Sequence, residues 1–227
     1  ANRYEGGLFA LERLNLQRPL FILDDGFQHW KLYRDTDIVL IDSTNPFGNM
    51  RLLPFGILRE PLNELKRADV VVLTRKELHQ QTGQSPASEV LMNDIRRYNS
   101  DAPVFSSEHR PVYAVAVSGE RLPVDVLSGK KAFLFCGIGN PAAFKDTIIR
   151  LNAEVRGVMF FNDHHRYDKH DIAQIKDAAG NRNADWIVTT EKDIMRLKGF
   201  ELPENLISLG IEFNIDRAFY EKVFGEV

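Results

Sequence analysis

The chain has 227 residues, of which 44% are hydrophobic and 27% are charged, a composition typical of a globular protein with a buried core. Its formal net charge is −3 and it carries no long basic stripe, which argues against a general role in nucleic-acid binding. The single cysteine, Cys136, excludes a disulfide within the chain, favours a reducing compartment and lies in an apolar run that predicts a buried thiol.

Short apolar runs rich in branched residues predict strands along the chain. They are Pro19–Leu23, Asp37–Ile41, Asp69–Leu73, Lys131–Cys136, Glu154–Phe161 and Asp185–Val188. Runs without polar alternation are typical of strands covered on both faces, as in a parallel sheet. Helical spacing appears between several of these runs, at Ser88–Tyr98, Asn140–Leu151 and Asp171–Ala179. Strands that alternate with helices predict an α/β fold with right-handed crossovers.

The predicted elements divide the chain into three segments. The pattern predicts an α/β part at residues 1–102 and a smaller α/β part at residues 131–227. It predicts extended linker strands at residues 103–130, which show few helix signals. The polar stretch Gln80–Ala87 predicts a surface loop. The chain begins without methionine and close to helix-like sequence, Glu5–Leu16, so we expect a fragment or a processed product.

Two adjacent carboxylates, Asp24 and Asp25, follow the first predicted strand. Like charges this close raise each other's pKa unless a positive group lies nearby. One interpretation is a solvated turn, since Asp-Asp-Gly is favourable turn chemistry. The other is a Mg²⁺ site at the carboxyl end of a strand, as in the second half of a P-loop nucleotide site. The first half of such a site, G-x-x-x-x-G-K-[ST], is absent from the sequence, so this stretch alone leaves both interpretations open.

A long loop follows the run Asp37–Ile41 and carries two arginines and a glutamate. Arg51 and Arg59 have the chemistry to clamp a phosphate, and Glu60 has the chemistry to complete a metal site. The alternative is a surface loop punctuated by proline, with a solvated Arg-Glu pair.

Asp163, His164 and His165 follow the predicted strand Glu154–Phe161. An aspartate beside a histidine at a strand end predicts an acid–base or orienting pair. A metal cluster is the alternative, although the spacing matches no zinc pattern. Adjacent residues of an extended chain point in opposite directions, so we expect at most one of the two histidines to act.

Two further motifs follow strands. Gly137-Ile138-Gly139-Asn140-Pro141-Ala142 fits the G-x-G-x-x-A outline of a dinucleotide-binding turn, but Pro141 removes one N–H from the helix start. The sequence therefore favours a tight strand-to-helix turn with an Asn cap. The TTEKD stretch that ends at Asp193 predicts a Thr-capped helix with charges in its first turn.

Taken together, these stretches resemble one family, the tetraacyldisaccharide 4′-kinases of lipid A biosynthesis in Gram-negative bacteria. The resemblance is carried, in order along the chain, by DDGFQH at 24–29, GN-x-RLLP…LREP at 48–61, GIGNP at 137–141, DHH at 163–165 and TTEKD at 189–193. It implies a P-loop-kinase-like first part, incomplete here, and transfer of the γ-phosphate of ATP to the 4′-hydroxyl of a tetraacylated glucosamine disaccharide 1-phosphate.

The resemblance also implies roles for individual residues. Mg²⁺ would be held by Asp24, Asp25 and Glu60, and catalysis would use His164 beside Asp163. The residues that would contact the metal shell, ATP or its phosphates are Asp24, Asp25, Gln28, His29, Arg51 and Arg59. His164 is the residue directly after the aspartate, which is where the resemblance places the catalytic histidine, at the rim of a cleft between the two α/β parts.

The implied partners are the lipid A disaccharide precursor and a membrane surface, the latter reached through an amino-terminal segment that the sequence does not contain. The implied location is the cytoplasmic face of the inner membrane. Because the Walker A loop is also missing, we expect this chain to be inactive alone. Three residues depart from the family pattern: Trp30 stands where a basic residue is expected, and Phe55 and Ile57 stand where Ala and Pro are expected.

Two other functions remain as alternatives. A Rossmann-type oxidoreductase that binds NAD(P) would rest on GIGNPA and Asp163. A non-enzymatic binding module would treat the polar clusters as surface loops.

Overall fold

The computed structural model describes residues 2–15, 19–75 and 86–225 of the chain. Within these residues the elements follow in the order α1 (Arg3–Leu14), β1 (Ile38–Asp42), a 3₁₀ helix (Leu62–Arg67), β2 (Val70–Thr74), α2 (Pro86–Tyr98), β3 (Val104–Ala116), β4 (Arg121–Pro123), a second 3₁₀ helix (Val124–Leu127), β5 (Lys131–Cys136), α3 (Pro141–Arg150), β6 (Glu154–Phe160), α4 (Lys169–Gly180), β7 (Trp186–Thr190), α5 (Glu191–Arg196), β8 (Leu206–Ile215) and α6 (Arg217–Phe224).

The described residues form two compact units. The first unit holds residues 2–15, 19–74, 86–106 and 215–225, and the second holds Arg75 and Ser107–Asn214. In the first unit, β1 pairs in parallel with β2, and β2 pairs in parallel with the beginning of β3. Helical segments lie between the paired strands in sequence, as parallel pairing requires a crossover connection.

The core of the first unit lies on both faces of β2. Alternate residues of a strand point to opposite faces, so Val71 and Leu73 join a cluster with Ile95 of α2, while Val70 and Val72 join a separate cluster. All four valine and leucine side chains are buried, which explains why the run DVVVL shows no polar alternation. The half-buried Phe27 packs against the first of these clusters and so fixes the loop that follows Asp24 and Asp25.

The second unit is built around four parallel strands in the order β8-β7-β5-β6. Strand β3 lies beside β8, and β4 pairs with β3 in the antiparallel direction. The central strand β5 is buried on both faces: Ala132, Leu134 and Cys136 join one core cluster, while Phe133 and Phe135 join the other. The expectation of a buried Cys136 is therefore confirmed.

The α/β fold with mostly parallel strands is confirmed, and most predicted elements form within a few residues of their expected limits. The cap of α3 is also as predicted: Oδ1 of Asn140 accepts a 3.0 Å hydrogen bond from the Ala143 N–H, and Pro141 opens the helix. The 103–130 segment contains β3, β4 and the second 3₁₀ helix.

One predicted strand is wrong. Residues 19–23 form no strand, and Leu20 and Ile22 are 68% and 85% exposed. A strand needs a neighbour to complete its backbone hydrogen bonds, and β1, the nearest strand in sequence, pairs within the described residues with β2. Apolar composition alone therefore did not determine the structure of this run.

Two other sequence predictions are not decided by the fold. In the predicted loop Gln80–Ala87, residues 80–85 lie outside the described residues, and the last two positions belong to α2. The division into 1–102, 103–130 and 131–227 stays a prediction; packing groups the described residues from Ile215 onward with the first unit. Among the described helices, none is both long and apolar enough to cross a membrane.

Candidate active site

The first candidate group lies around the acidic turn, which we define as residues 24–29. Asp24 and Asp25 are exposed and lie in a turn, and Asp25 has a φ of 51°, in the left-handed region that aspartate tolerates better than most residues. The Arg59 guanidinium forms an ion pair with Oδ2 of Asp25. The structure thus brings together two predicted residues that are 34 positions apart in sequence.

A partly buried network joins the acidic turn to Glu60. Oε1 of Glu60 accepts a 3.1 Å hydrogen bond from the indole N–H of Trp30, and Oε2 forms an ion pair with Arg67. The guanidinium carbon of Arg67 lies 4.1 Å from the ring centroids of both Phe27 and Trp30. Arg67 also donates a 2.9 Å hydrogen bond to Glu64 and a 3.0 Å hydrogen bond to the Phe27 carbonyl oxygen. Arg67 therefore links the acidic turn to the turn around Glu60.

The remaining predicted residues of this unit make fewer contacts. Gln28 and Arg51 are exposed, and His29 is half-buried, with its carbonyl oxygen accepting a 2.7 Å hydrogen bond from Arg34. Within the described part of the chain, the side chains of Gln28, His29 and Arg51 form no hydrogen bond or ion pair. They are therefore available to a ligand, but the structure does not gather them with Asp25, Arg59 and Glu60 into one contact network.

The predicted Mg²⁺ ligands do not form a preformed carboxylate cluster. Across the residues that the structure describes, no group of three or more His, Cys, Asp or Glu side chains could hold a metal ion. Glu60 already contacts Trp30 and Arg67, and Asp25 forms an ion pair with Arg59. Asp24 is exposed and makes no hydrogen bond to any described residue. Mg²⁺ commonly binds to one or two carboxylates together with phosphate oxygens and water. Asp24 and Asp25 fit this pattern, and Glu60 in its present contacts does not.

The second candidate group lies at one edge of the sheet in the second unit. Because β5, β6 and β7 are parallel, the segments that follow their carboxyl ends meet at this edge. The N–H of His164, after β6, donates a 3.2 Å hydrogen bond to the carbonyl oxygen of Gly137, after β5. The N–H of Gly137 donates a 3.2 Å hydrogen bond to Oδ2 of Asp193, in the helix after β7. Three separate motifs of the sequence therefore converge here.

Asp163 and His164 occupy the exposed part of this edge. The Asp163 carboxylate accepts a 2.9 Å hydrogen bond from the His164 backbone N–H and lies 3.5 Å from Nζ of Lys192. Nε2 of His164 lies 3.7 Å from Oδ2 of Asp163, beyond hydrogen-bond distance. The side chain of His164 is 71% exposed and that of Asp163 is 44% exposed, so both can reach a ligand in solvent.

Beneath these two residues lies a buried aspartate–arginine pair. The Asp193 side chain is fully buried, and its Oδ2 accepts a 2.7 Å hydrogen bond from the hydroxyl of Thr190, the N-cap of α5. Arg196 donates hydrogen bonds of 3.2 Å to Oδ1 of Asp193, 3.1 Å to the Gly137 carbonyl oxygen and 3.0 Å to Nδ1 of His164. Arg196 is therefore the link between the buried aspartate and the exposed histidine.

His165 has a different environment from His164. Its Nε2 lies 2.8 Å from Oδ2 of Asp171, and its ring stacks on Phe161 with centroids 4.4 Å apart. Asp171 belongs to the capping box at the start of α4. His165 is thus engaged in packing and in holding a helix start, whereas the ring of His164 is mostly exposed.

Charges around this edge shift the pKa of several groups. Burial acts to raise the pKa of Asp163, but the Lys192 ammonium, together with the ring and backbone N–H of His164, outweighs it and lowers the pKa. Burial, reinforced by the negative charge of Asp193, raises the pKa of the Cys136 thiol to about 12 and also raises the pKa of Tyr167. Asp163 therefore stays ionised at neutral pH, while the thiol and the phenol stay neutral.

Comparison with known proteins identifies the family. A sequence model of the family described as "LpxK: Tetraacyldisaccharide-1-P 4'-kinase" matches residues 1–226. The chain belongs to the tetraacyldisaccharide-1-P 4′-kinase family. The tetraacyldisaccharide 4′-kinase of Halothermothrix orenii is 37% identical over 231 residues, covering 95% of this chain and 59% of the relative, and that of Syntrophus aciditrophicus is 37% identical over 219 residues, covering 94% and 58%.

A solved structure of the same family is similar in fold. The crystal structure of LpxK from Aquifex aeolicus in complex with ATP has a TM-score of 0.62 and 31% sequence identity, covering 97% of this chain and 60% of that one. The chain spans about three fifths of the length of the curated relatives it matches. The family resemblance and the fold class that the sequence predicted are thus confirmed, and the family assignment replaces the oxidoreductase alternative.

Sequence reasoning missed four residues that organise the two groups. Arg67 and Arg196 lie outside every motif, and Lys192 and Asp193 lie in TTEKD, which was interpreted as a helix cap. The cap itself is confirmed, since Thr190 accepts a 3.1 Å hydrogen bond from the Asp193 N–H. A weak signal exists for the arginines: each follows an acidic residue by three positions in a short helix.

Proposed function

We propose that the full-length protein to which this chain belongs is a tetraacyldisaccharide 4′-kinase. It transfers the γ-phosphate of ATP to the 4′-hydroxyl of a tetraacylated glucosamine disaccharide 1-phosphate, an intermediate of lipid A biosynthesis. In this step a bond forms between the 4′-oxygen and the γ-phosphorus, the bond between the γ-phosphorus and the bridging oxygen breaks, ADP leaves, and the hydroxyl proton passes to a basic group or to solvent. The observation that carries the proposal is the family match, which extends over residues 1–226.

At the nucleotide end, we assign the first group of side chains to ATP and its metal. Mg²⁺, when bound, would neutralise charge on the β- and γ-phosphates. Asp24 is the most available ligand, and Asp25 becomes a second one if Arg59 turns from the carboxylate to a phosphate. Arg51 is unpaired in the described part of the chain and is suited to an anion, and Gln28 and His29 have free polar side chains near the same turn.

Glu60 is proposed to support this end indirectly. Its oxygens already accept hydrogen bonds from Trp30 and Arg67, so it would need to break these contacts to become a metal ligand. We therefore propose that Glu60 supports the acidic turn through Trp30 and Arg67 and does not bind the metal directly. A direct role for Glu60 at the metal, as the sequence suggested, would require Arg67 to move.

At the acceptor end, His164 and Asp163 are proposed to face the 4′-hydroxyl. Both are exposed at a strand-end edge, where α/β proteins commonly bind ligands. The ionised Asp163 can accept a hydrogen bond or a proton from a hydroxyl, and Lys192 beside it offers a positive charge to a phosphate. General acid–base groups of this kind contribute roughly 10²–10⁴-fold to rates.

We further propose that the chain alone does not catalyse the reaction. A phosphate-binding loop supplies backbone N–H groups and a lysine to the nucleotide phosphates, and the sequence contains no G-x-x-x-x-G-K-[ST] motif. The test is isothermal calorimetry of the chain with Mg²⁺-ATP, in parallel with the full-length protein. We expect binding by the full-length protein and little by the chain; tight binding by the chain alone would contradict the proposal.

The activity itself is tested on the full-length protein with radiolabelled ATP and the tetraacylated disaccharide 1-phosphate. Asp25→Asn is expected to depress turnover strongly and to leave the fold intact, because an exposed ligand is not part of a core. Glu108→Gln, in an exposed ion pair with Arg110, is the matched control and should remain near wild type. Absence of 4′-phosphorylated product with folded full-length protein that binds Mg²⁺-ATP would overturn the proposed function.

The substrate and location follow from the same proposal. A tetraacylated lipid resides in a membrane, and ATP is a cytoplasmic co-substrate, so the reaction would take place at the cytoplasmic face of the inner membrane. Fractionation of cells that produce the full-length protein, followed by salt and detergent extraction of the membranes, would test this location.

A further inference from the structure

Arg196 makes an unusual set of contacts for a residue outside every motif. Its Nη1 donates to Oδ1 of the fully buried Asp193 and to the Gly137 carbonyl oxygen, while its Nη2 lies 3.0 Å from Nδ1 of His164. The Arg196 side chain itself is 21% exposed. The guanidinium is therefore anchored on its inner side and presents a donor to the imidazole on its outer side.

The contact with His164 defines the state of the imidazole. A guanidinium has five N–H donors and no acceptor, and it does not lose its proton in proteins. Nδ1 of His164 must therefore be the acceptor in this hydrogen bond, since two donors cannot share one. In a neutral imidazole one nitrogen carries the proton and the other accepts, so the proton resides on Nε2.

The groups that anchor Arg196 are themselves hydrogen-bonded. Asp193 is held by the Thr190 hydroxyl at 2.7 Å and by the Gly137 N–H at 3.2 Å, and Gly137 also accepts the backbone N–H of His164 at 3.2 Å. The backbone and the ring of His164 are thus both tied to the same glycine and arginine. His164 itself has a φ of 60°, a left-handed conformation that needs such support from its surroundings.

From this geometry we infer that Arg196 is a positioning residue that fixes His164 as the Nε2–H tautomer, with Nε2 on the exposed strand edge and 3.7 Å from Oδ2 of Asp163. Nε2 of His164 is then a hydrogen-bond donor. It is suited to an anionic oxygen, such as one on a phosphoryl group, and not to removal of a proton from a hydroxyl. A group other than His164 must then accept the proton of a hydroxyl, and the Asp163 carboxylate is adjacent to the ring.

The catalytic part of this inference rests on the proposed kinase function, whereas the tautomer does not. The primary experiment therefore uses the present chain and needs no activity. Long-range ¹H–¹⁵N correlation spectra of the ¹⁵N-labelled protein report which ring nitrogen of each histidine carries the proton. Spectra are recorded at a pH where the titration shows the ring of His164 to be neutral, and His164→Gln assigns its signals.

We expect the wild-type spectrum to show His164 in the Nε2–H form. Arg196→Gln removes the charged fork, and its spectrum should show a mixture of the two tautomers. Arg196→Lys keeps the charge but cannot bridge Asp193, Gly137 and His164 together, so it should not restore a single form. Arg156→Gln, which breaks an exposed pair with Glu154, is the matched control and should leave the His164 signals unchanged.

Two results would overturn the inference: a wild-type His164 with its proton on Nδ1, or an Arg196→Gln protein that stays folded and keeps the Nε2–H form. The wild-type spectrum decides the first point even if the variant fails to fold. The second arm measures kinetics in the full-length protein, where Arg196→Gln should lower kcat by about 10²-fold with little change in KM for ATP, as expected when a reacting group is misplaced. Loss of the tautomer without loss of kcat would contradict the catalytic part alone, and an inactive wild-type enzyme would contradict the proposed function but not the tautomer.

Discussion

The indole nitrogen of Trp30 donates a 3.1 Å hydrogen bond to Oε1 of Glu60, thirty positions away in sequence. The same indole ring lies against the guanidinium of Arg67, which binds the other oxygen of Glu60. Trp30 stands where the family resemblance predicts a basic residue. A basic side chain at this position would place a second positive charge beside Arg67. The tryptophan instead links the acidic turn to Glu60 by a hydrogen bond and contacts Arg67 with its ring.

Replacement of Arg67 by alanine should destabilise the first unit. The change leaves Glu60 and Glu64, whose side chains are 17% and 20% exposed, without their ionic partner, and removes the guanidinium from between two aromatic rings. These pairs are partly buried, and leaving such charged groups without a partner costs about 1–3 kcal/mol. Urea denaturation of the variant measures the loss, and Arg97→Ala, an exposed arginine of α2, should stay within about 0.5 kcal/mol of wild type. A similar free energy of unfolding for both variants would show that the network contributes nothing.

The two adjacent histidines should respond oppositely to replacement by alanine. His165→Ala removes the 2.8 Å contact with Asp171 and the stack on Phe161, so it should lower the free energy of unfolding by about 1–2 kcal/mol. In the full-length enzyme its turnover should stay within a few-fold of wild type. His164→Ala should keep the melting temperature and reduce turnover by about 10²–10⁴-fold. Equal losses of rate, or a larger loss for His165→Ala, would reverse the assignment.

The Cys136 thiol should resist alkylation in the folded protein and react readily after unfolding. Burial, followed by the charge of Asp193, raises its pKa from 9.0 to about 12, and the side chain is fully buried. A pKa that is higher in the folded state contributes stability that is complete below the unfolded value and is lost as the pH rises towards 12. The free energy of unfolding should therefore fall through this alkaline range, and less steeply in Cys136→Ala. An identical slope in the two proteins would exclude the thiol as a cause.

The ionisation of Asp163 should depend on Lys192. Lys192→Gln removes the main opposing charge, so the pKa of Asp163 should rise; Lys198→Gln, an exposed lysine beyond α5, is the control. Because the wild-type carboxyl has a lowered pKa, its contribution to stability is present above the unfolded pKa and is lost as the pH falls through the folded pKa. Carboxyl ¹³C titration by NMR measures the shift directly. No difference between the two variants would mean that Lys192 is screened by solvent.

The sequence predicted the strands and helices of the second unit well because their patterns are local. The run from Lys131 to Cys136 forms β5 with the predicted limits, and Asn140 and Pro141 begin α3 as expected. The strand prediction for Pro19–Leu23 was wrong because a strand also needs a partner strand. A five-residue segment of sequence does not show whether such a partner exists. The turn alternative for Asp24 and Asp25 is what the structure shows, while their role at a metal stays a prediction.

The sequence predicted the residues of the candidate site that lie within its motifs, but not the contacts between those motifs. Asp25 and Arg59 were named separately, and the structure joins them, but no periodicity indicates that Arg67 and Arg196 tie the motifs to one another. Such contacts depend on the course of the chain between distant strand ends. A single sequence contains the residues of the network but not their distances.

The two glycines of the GIGNP motif should differ in the substitutions they tolerate. A β-carbon on Gly137 would lie 3.1 Å from the Asn162 carbonyl oxygen and 3.3 Å from the Tyr167 hydroxyl, while both backbone groups of Gly137 are hydrogen-bonded in the network below His164. A β-carbon on Gly139 would meet its nearest neighbour, an oxygen of Asp163, at 3.6 Å, which is ordinary contact. In a library of single variants selected for survival, every replacement at position 137 should therefore be depleted, whereas alanine should persist at position 139. The difference would show which of the two glycines is required because the space around it is filled.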